Sequence, residues 1–417
     1  MAGPLEGVRV LDMSRILAGP WVGQTLSDLG ADVIKIERPQ GGDDTRSWGP
    51  PFAPGPDGEA TQEAAYFLSA NRGKKSVAID FTKPEGQDLV RRLAAKSDVL
   101  IENFKVGGLA KYGLDRESLE AVNPALIYCS ITGFGQDGPY AKRAGYDFMI
   151  QGMSGLMSIT GEPDEKPGGG PVKVGVAVSD LFTGLYATIG ILGALYHRRA
   201  PGEGRGQHID MALLDSQVAV LANQALNFLV SGQAPGRLGN AHPNIVPYQT
   251  FATADGHVIL AVGNDGQFKR FCEVAGRPDL AKDPHFATNP GRVRSRSVLV
   301  PILADLFKAR SSADWLASLE AVGVPCGPIN DLSQVFDDPQ VKHRGLRLEL
   351  PHETAGQVPS VASPIKYSAT PLSPEAGPPA LGAHTQGVLG ELLGLGEAEL
   401  AALEEAGTIG VPAGKDA

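Results

Sequence analysis

VRVLDMSRILAGPWVGQTLSDLGADVIKIE, residues 8–37, is the stretch that decides the fold of this chain. Val8–Ser14 places apolar residues at alternate positions, which is typical of a β-strand. After the turn RILAGP, residues 21–30 are predicted to form a helix that is closed by Gly30. Ala31–Glu37 is predicted to be a second strand. A strand–helix–strand unit of this kind implies a parallel sheet.

The same alternation continues along the chain. Further strands are predicted at residues 75–81, 98–104 and 125–135, and helices at 83–97, 115–123 and 216–231, with a long helix after Asp180. Strands that alternate with helices are typical of doubly wound folds. We therefore predict the α/β class, with a large Rossmann-like domain built around a parallel sheet.

The composition changes near residue 231. Residues 231–247, SGQAPGRLGNAHPNIVP, are rich in Gly and Pro and are predicted to be a linker after a large domain at 1–230. An antiparallel hairpin is predicted around Ala254–Gly256, and helices follow it, so that 248–330 forms a small α+β domain. Residues 331–417 are predicted to be a second linker and a C-terminal segment.

Composition excludes several classes of protein. The formal net charge of −10 over 417 residues argues against a nucleic-acid partner. Cys129, Cys272 and Cys326 lie far apart, so neither a disulfide framework nor a metal site is expected. The N-terminus has no apolar signal segment, and Leu181–His197 contains Gly, Thr and Tyr, which favours a buried helix over a membrane span. We expect a cytoplasmic protein that does not bind membranes.

One acid, Asp180, lies near the start of the apolar stretch GVAVSDLFTGLYATIGILGALY. A carboxylate is costly to bury without a partner, so this position needs an explanation. Taken alone, the residues favour a helix N-cap, because Ser-Asp before an apolar helix is a common start signal. The alternative is that Ser179 caps the helix and Asp180 is reactive.

Two loops at strand ends are candidates for a ligand site. The first turn, SRILAGP, lacks G-x-G-x-x-G, which argues against a nicotinamide cofactor; it is either an ordinary turn or a loop whose N–H groups meet an anion. The second loop carries Asn103 and Phe104 where a ligand would meet the sheet, although Phe104 could equally belong to the core.

A group of basic residues surrounds the second and third predicted strands. These residues are Arg38, Arg46, Arg72, Lys74 and Lys75. In an acidic chain, such a group indicates a phosphate subsite, and the alternative is an ordinary solvated surface.

Taken in order, the motifs resemble the class III CoA-transferases, the CaiB/BaiF family, from about Leu5 to LGAHTQGVLGELLG near the C-terminus. The matching stretches are GVRVLDMSRILAGPWVGQTLSDLGADVIKIERPQGGDDTR, SANRGKKSVAIDF, DVLIENFKVGGLAKYGL, YCSITGFGQDGPY, VSDLFTGLYA and GEGRGQHIDMALLDS. Formyl-CoA:oxalate and succinyl-CoA:dicarboxylate CoA-transferases belong to this family, and 2-methylacyl-CoA racemases are related to it.

The resemblance implies a chemistry and a set of residues. Asp180 matches the family nucleophile, which forms an aspartyl anhydride and then an aspartyl-CoA thioester. Coenzyme A and acyl-CoA are implied as substrates, with no tightly bound cofactor. By matching motif, the CoA-binding residues are Arg15, Ile16 and Ala18 on the pantetheine and adenine path, Arg38 near the adenine, Arg72 and Lys75 at the phosphates, Asn103, Phe104 and Lys111 in the groove, and Tyr146 beside Asp180.

Two departures from the family pattern restrict the activities and substrates that the resemblance implies. The racemases have His where this chain has Tyr146, and a phenol is a poor acid–base group near neutral pH. GNAHPNIVP replaces the glycine-rich lid of the oxalate enzyme, and HPNIVPY resembles relatives that act on succinate and glutarate; His242 is either part of this lid or an ordinary loop histidine. A racemase, a non-enzymatic CoA-binding protein and a nicotinamide oxidoreductase stay as alternatives.

The resemblance also implies an assembly. In this family each chain is a ring, and its large domain is built from both the N- and C-terminal segments. Two such rings form an interlocked homodimer, with CoA and a small carboxylic acid as the other partners.

Overall fold

The computed structural model describes residues 3–202, 204–372 and 375–411 of the protein. In these residues the strands are, in chain order, β1 (Arg9–Asp12), β2 (Asp32–Glu37), β3 (Phe52–Pro54), β4 (Ala60–Ala64), β5 (Lys75–Ile79), β6 (Val99–Glu102), β7 (Ile127–Thr132), β8 (His208–Ala212), β9 (Tyr248–Ala252), β10 (His257–Ala261), β11 (Cys326–Pro328), β12 (Arg347–His352), β13 (Gly356–Val361) and β14 (Ile409–Gly410).

The helices occupy most of the segments between the strands. They are α1 (Ala18–Asp28), α2 (Ala65–Leu68), α3 (Pro84–Ala94), α4 (Arg116–Val122), α5 (Asp147–Met153), α6 (Leu156–Ile159), α7 (Val178–Arg198), α8 (Leu213–Ala219), α9 (Ala222–Ser231), α10 (Asp265–Val274), α11 (Asn289–Arg294), α12 (Arg296–Phe307), α13 (Ser312–Glu320), α14 (Leu332–Asp337), α15 (Pro339–His343), α16 (Thr385–Leu393) and α17 (Glu397–Glu405). The single helix predicted over 216–231 is wrong: α8 and α9 replace it, because Ala222 has a φ of 46°, outside the helical range.

The central sheet has seven strands in the order β14-β5-β2-β1-β6-β7-β8. All of its neighbouring strands are parallel except β14, which pairs antiparallel with β5 through Ile409 and Ile79. This confirms the predicted α/β class with a large, mostly parallel sheet. The C-terminal residues thus complete a sheet that the N-terminal half begins.

Apolar side chains cover both faces of the sheet, which explains why its strands are almost continuously hydrophobic. On one face, Leu11 and Leu100 pack with helices α3, α4, α16 and α17. On the other face, Val10 and Ile101 pack with α1, α5, α7 and α8. Each helix therefore buries one stripe against the sheet, and the loops at the strand ends are left to form a site.

By their contacts, the residues form two units. The first unit comprises Met1–Ser154, Gly175–Ala225 and Gln340–Ala417. The second comprises Gly155–Val174 and Leu226–Pro339, and its antiparallel sheet, β11-β10-β9, contains the predicted hairpin. Phe251, Phe307 and Trp315 lie in the core of this second unit. The linker boundaries given by the sequence stay a prediction.

Helix α7 is apolar on two sides. Within the residues that the structure describes, it is the one helix long and apolar enough, by length and composition alone, to cross a bilayer. One side packs against α1, β7 and β8 and buries Ala187 and Ile191, as a core helix does. The other side is exposed and carries Phe182, Leu185, Tyr186, Ile189 and Tyr196.

Candidate active site

A cavity of about 530 Å³ lies in the first unit, at the carboxyl ends of the parallel strands. Residues that follow β1, β2, β5, β6 and β7 line it, together with the start of α7. Open α/β sheets bind their ligands at this edge, because the loops there converge and the helix N-termini point towards it.

Nine of the eleven site residues predicted from the sequence line this cavity. They are Arg15, Ile16, Ala18, Arg38, Asn103, Phe104, Lys111, Tyr146 and Asp180. Loops that are far apart in sequence thus bring the predicted nucleophile and most of the predicted CoA-binding residues to one place.

The structure does not bring Arg72 and Lys75 into the cavity. Both residues come just before or at the start of β5, near the amino edge of the sheet, whereas the cavity lies at the carboxyl edge. Arg72 is buried, and its guanidinium donates to both carboxylate oxygens of Asp28 at 2.8 and 2.6 Å. The Lys75 ammonium lies 2.7 Å from the Asp32 carboxylate. Their charges are therefore used in structural ion pairs.

Asp180 is the third residue of α7, and it does not cap the helix. The backbone N–H of Ser179 instead donates to Asp147 Oδ1 at 2.8 Å, from the start of α5. The Ser179 hydroxyl donates to Gln217 at 2.8 Å, so Ser179 is not the cap either. Both capping interpretations of the sequence are wrong, and the Asp180 carboxyl group is left facing the cavity.

The environment of Asp180 favours a neutral carboxyl group. Burial, with a further contribution from the charge of Asp147, raises its pKa to about 7. None of the described groups offsets these effects with a hydrogen bond or a cation. Tyr66 is also close: burial and then the charges of Asp180 and Asp147 raise the pKa of its phenol. Near neutral pH, a substantial fraction of Asp180 is an ionised carboxylate with little solvation.

The first turn of the sheet is fixed by Asn103. The Asn103 side chain accepts the N–H of Arg15 at 2.9 Å and donates to the Arg15 carbonyl at 2.7 Å. One amide thereby holds both backbone polar groups of Arg15. Asn103 was predicted as a ligand contact, and in the structure it also shapes the wall of the cavity.

A buried ion pair between Lys35 and Asp43 also stabilises the first turn. Ile16 has a φ of 73°, which is strained for a β-branched residue, and its N–H donates to Asp43 Oδ1 at 3.3 Å. Asp43 lies 2.9 Å from the ammonium of Lys35, and both side chains are fully buried. Burial opposes the ionisation of Asp43, but the charge of Lys35 and the hydrogen bonds from Thr45 and Lys35 together outweigh it and lower the pKa to about 2. The ionised Asp43 carboxylate therefore holds the backbone of the first turn at Ile16.

Two arginines in the cavity wall share one carboxylate. Arg15 and Arg38 each lie 3.0 Å from Asp44, and the side chains of both arginines are partly exposed. The Arg15 guanidinium also lies 5.3 Å from the centre of the Phe104 ring, a cation–π contact. Because these pairs are solvated, a phosphate can compete with Asp44 for the two guanidinium groups.

Three further residues were missed in the sequence: Asp43 lines the cavity, and Asp147 and Tyr66 interact electrostatically with Asp180. The Asp147 bond to Ser179 spans 32 residues, so no local pattern reveals it. A local signal did exist, since Asp147 immediately precedes the helical stretch FMIQGM, where an acid commonly meets helix N–H groups.

Comparison with known proteins gives three consistent matches. The family model described as CoA-transferase family III matches residues 5–385. A succinate–glutarate CoA-transferase of Agrobacterium fabrum is 56% identical over 93% of this chain and 96% of its own, and a succinyl-CoA:glutarate CoA-transferase of Mus musculus is 46% identical over 97% and 90%. A crystal structure of a CaiB/BaiF family protein from Brucella suis superposes with a TM-score of 0.82, at 54% identity over 94% of this chain and all of that one.

Proposed function

The chain belongs to CoA-transferase family III, and on that premise we propose that it moves CoA from succinyl-CoA to a dicarboxylate such as glutarate, with Asp180 as the nucleophile. The chain is an acyl-CoA:carboxylate CoA-transferase, as its motifs predict. One observation carries the proposed mechanism: the Asp180 carboxyl group, unpaired with any described cation, lies in the wall of the cavity.

The first half of the reaction transfers CoA to the protein. An oxygen of ionised Asp180 attacks the thioester carbonyl of succinyl-CoA, and the CoA thiolate leaves as the mixed anhydride forms. The thiolate then attacks the aspartyl carbonyl of this anhydride. Succinate departs with its carboxylate restored, and Asp180 holds CoA as a thioester.

The second half repeats these steps with the acceptor. A carboxylate oxygen of glutarate attacks the Asp180 thioester, releasing the CoA thiolate and forming a second anhydride. The thiolate attacks the glutaryl carbonyl, which gives glutaryl-CoA and returns Asp180 as a carboxylate. No proton is gained or lost over the cycle, so the site needs no general acid.

The position of Asp180 suits this chemistry in two ways. A partly buried carboxylate is poorly solvated, which makes it a better nucleophile when ionised, and a confined site limits hydrolysis of the anhydride and thioester. The start of α7 also supplies a favourable field for negative charge within its first turn. Burial thus serves the reaction even though it raises the pKa of Asp180.

We assign the polar end of CoA to the arginines on the cavity wall. Arg15 and Arg38 provide planar donor pairs that fit phosphate oxygens, and Lys111 adds a point charge next to the same wall. The apolar parts of Ile16 and Phe104 face the same space and suit the pantetheine and adenine. Tyr146 lines the cavity together with Asp180 and faces the acyl group.

We further propose that the active form is a cytoplasmic, interlocked homodimer. The exposed face of α7 supports this assembly, because Leu185, Ile189 and Tyr196 are 43%, 62% and 83% exposed in the single chain. A contiguous apolar stripe on a long helix is unusual on a monomer and is typical of an interface. Light scattering on the purified protein tests this, with twice the chain mass as the expected result.

The test of the proposed nucleophile is Asp180→Asn, with Asp215→Asn as the matched control at an exposed acid on α8. Glutaryl-CoA formed from succinyl-CoA and glutarate is measured by mass spectrometry, and CoA affinity by calorimetry. We expect Asp180→Asn to lose at least about 10³-fold in kcat while its Kd for CoA stays within about twofold. Substantial turnover by Asp180→Asn would rule out this nucleophile.

A further inference from the structure

The reaction above does not use Glu102, a buried acid next to residues of the cavity wall. Glu102 is the last residue of β6 and is 6% exposed. It precedes Asn103 and Phe104, which both line the cavity, whereas Glu102 itself does not. None of the described cations contributes to its electrostatics, and burial raises its pKa to about 7, with a smaller contribution from the charge of Asp210.

The Glu102 carboxyl group holds the start of the loop that follows β6. Its Oε2 accepts the backbone N–H of Phe104 at 2.8 Å. Ser130 lies opposite Glu102 on the neighbouring strand β7, and its hydroxyl favours the ionised form of the carboxyl group. Ser130 Oγ in turn lies 3.0 Å from Nε2 of His208 on β8. Polar side chains of three adjacent strands therefore meet beside the corner of the chain formed by Asn103 and Phe104.

We propose that Glu102 is a positioning residue for the coenzyme A site, and that its carboxyl group holds the Asn103–Phe104 corner in the shape that seats Arg15. The inference rests on the proposed CoA-binding role of this cavity. It adds a residue that touches no substrate and acts through two residues that line the cavity.

The contacts give a continuous path from Glu102 to the arginine. Glu102 fixes the backbone of Phe104, and the amide of Asn103 holds both backbone polar groups of Arg15. The Phe104 ring then lies beneath the Arg15 guanidinium. If the carboxyl group is removed, the Phe104 N–H loses its acceptor, and the corner must move to find another one.

Energetics argue against a role in stability alone. A buried carboxyl group with no cation nearby opposes folding when it is ionised, whereas an apolar residue at this position would not. Groups that carry such a cost are commonly found where they serve a site. Glu102 fits this description because its carboxyl group binds the backbone of Phe104, which lines the cavity.

The contact with Phe104 tolerates either charge state of Glu102. Oε2 accepts from the Phe104 N–H when the carboxyl group is ionised and also when Oε1 carries the proton. Among the described residues, the titratable groups on the same face of the neighbouring strands are Tyr128 on β7 and His208 and Asp210 on β8. Cys129 on β7 packs on the opposite face of the sheet.

The test compares Glu102→Ala with Glu102→Gln in the full chain. Gln keeps an oxygen acceptor for the Phe104 N–H, and Ala does not. For Glu102→Ala we expect the KM for succinyl-CoA and the Kd for CoA to rise about tenfold, equivalent to about 1.4 kcal/mol. The kcat and the KM for glutarate should stay within about twofold. Glu102→Gln should restore CoA affinity to within about twofold of the unmodified protein.

A matched control and a second variant complete the test. Glu120→Ala removes a glutamate that pairs with Arg116 and Arg205 at the surface, and CoA affinity should not change. If Glu102→Ala fails to fold, Glu102→Leu removes the acceptor of the Phe104 N–H while it fills the space of the side chain, and it should raise the same KM by about tenfold.

Three results would overturn the inference. These are an unchanged KM for succinyl-CoA in Glu102→Ala, an equal loss in Glu102→Gln, and a parallel fall in kcat, both affinities and melting temperature. Failure of the unmodified protein to bind CoA would instead refute the proposed function of the cavity. The two proposals therefore fail in different ways.

Discussion

At the scale of single residues, Asp180 balances two requirements. It must lose its proton to attack a thioester, yet burial and the neighbouring Asp147 favour the protonated form and raise the pKa to about 7. Ionisation and reactivity therefore oppose each other, since the poor solvation that raises the pKa also activates the carboxylate. The balance makes the rate depend on pH near neutrality.

The first prediction concerns this pH dependence. Because only ionised Asp180 attacks, kcat/KM should rise with pH through an apparent pKa near 7. The value at pH 6 should be about one tenth of that at pH 8, as expected for one ionisation. Initial rates with succinyl-CoA and glutarate across this range measure it. A flat profile between pH 5 and 8 would contradict the assignment.

The second prediction concerns Asp147→Asn. Asparagine keeps the oxygen that accepts the Ser179 N–H but removes the charge that helps to raise the pKa of Asp180. The rising limb of the pH profile should therefore move to lower pH. The exposed Asp215→Asn variant should leave the profile in place. A shift to higher pH in Asp147→Asn would show that another group controls the limb.

The third prediction links the nucleophile to stability. Since folding raises the pKa of Asp180, its burial costs nothing below the unfolded value near 4 and lowers stability as pH rises through about 7. Asp180→Asn should therefore melt above the unmodified protein at pH 8, and this difference in melting temperature should be about 2 °C or more larger at pH 8 than at pH 5. Calorimetry at both values measures this. Equal melting temperatures at pH 8 would mean that the folded protein does not disfavour the charge.

At the scale of elements, close packing of two turns shapes the cavity. Gly133 follows β7, and Gly145 precedes Tyr146 at the start of α5. A Cβ atom placed on Gly145 would lie 2.3 Å from the Cα of Gly133, and the converse distance is 2.6 Å. Both residues line the cavity, so a side chain on either one must push the two walls apart.

The fourth prediction follows from that contact. Gly145→Ala should destabilise the protein by about 1–3 kcal/mol, as overpacking does. It should also raise the KM for succinyl-CoA, because the wall that carries Tyr146 is displaced. Gly387→Ala in α16, where an added Cβ meets nothing within 4 Å, is the control and should be neutral or stabilising. Denaturation and initial rates measure both effects. Unchanged KM and stability in Gly145→Ala would contradict the packing argument.

Elements also show what the sequence could predict. Period-two and helical patterns placed the strands from Val8–Ser14 to 125–135, because buried parallel strands and their helices have strong local patterns. Local patterns did not reveal β14, since a two-residue strand gains its pairing only from β5. The same limit explains why the sequence assigned Arg72 and Lys75 to the CoA phosphates although neither residue lines the cavity. A basic cluster in the sequence does not show at which edge of the sheet each side chain lies.

At the scale of the whole molecule, the ordered motifs carried more information than any single one. Each loop taken alone had an ordinary structural explanation, and the resemblance of the whole series selected the functional one. The matches to CoA-transferase family III confirm that resemblance over most of the chain. The oligomeric state is not predicted by these motifs in the same way. A single chain indicates an interface only through the apolar surface that it leaves exposed.

The fifth prediction tests this surface. Ile189 lies in the middle of the exposed stripe of α7, so Ile189→Lys should halve the mass of the assembly seen by sedimentation. Glu117→Lys on α4 changes an exposed charge and should leave the mass unchanged. A dimer of full mass in Ile189→Lys would place the interface elsewhere.

The central claim is that Asp180 carries CoA covalently during turnover, and trapping tests it most directly. The protein is mixed with succinyl-CoA, quenched with borohydride or hydroxylamine, digested and mapped by mass spectrometry. We predict reduction or hydroxamate formation at Asp180, dependent on succinyl-CoA and absent in Asp180→Asn. An unmodified Asp180 peptide from protein that is turning over, or the same modification at another acid, would contradict the account.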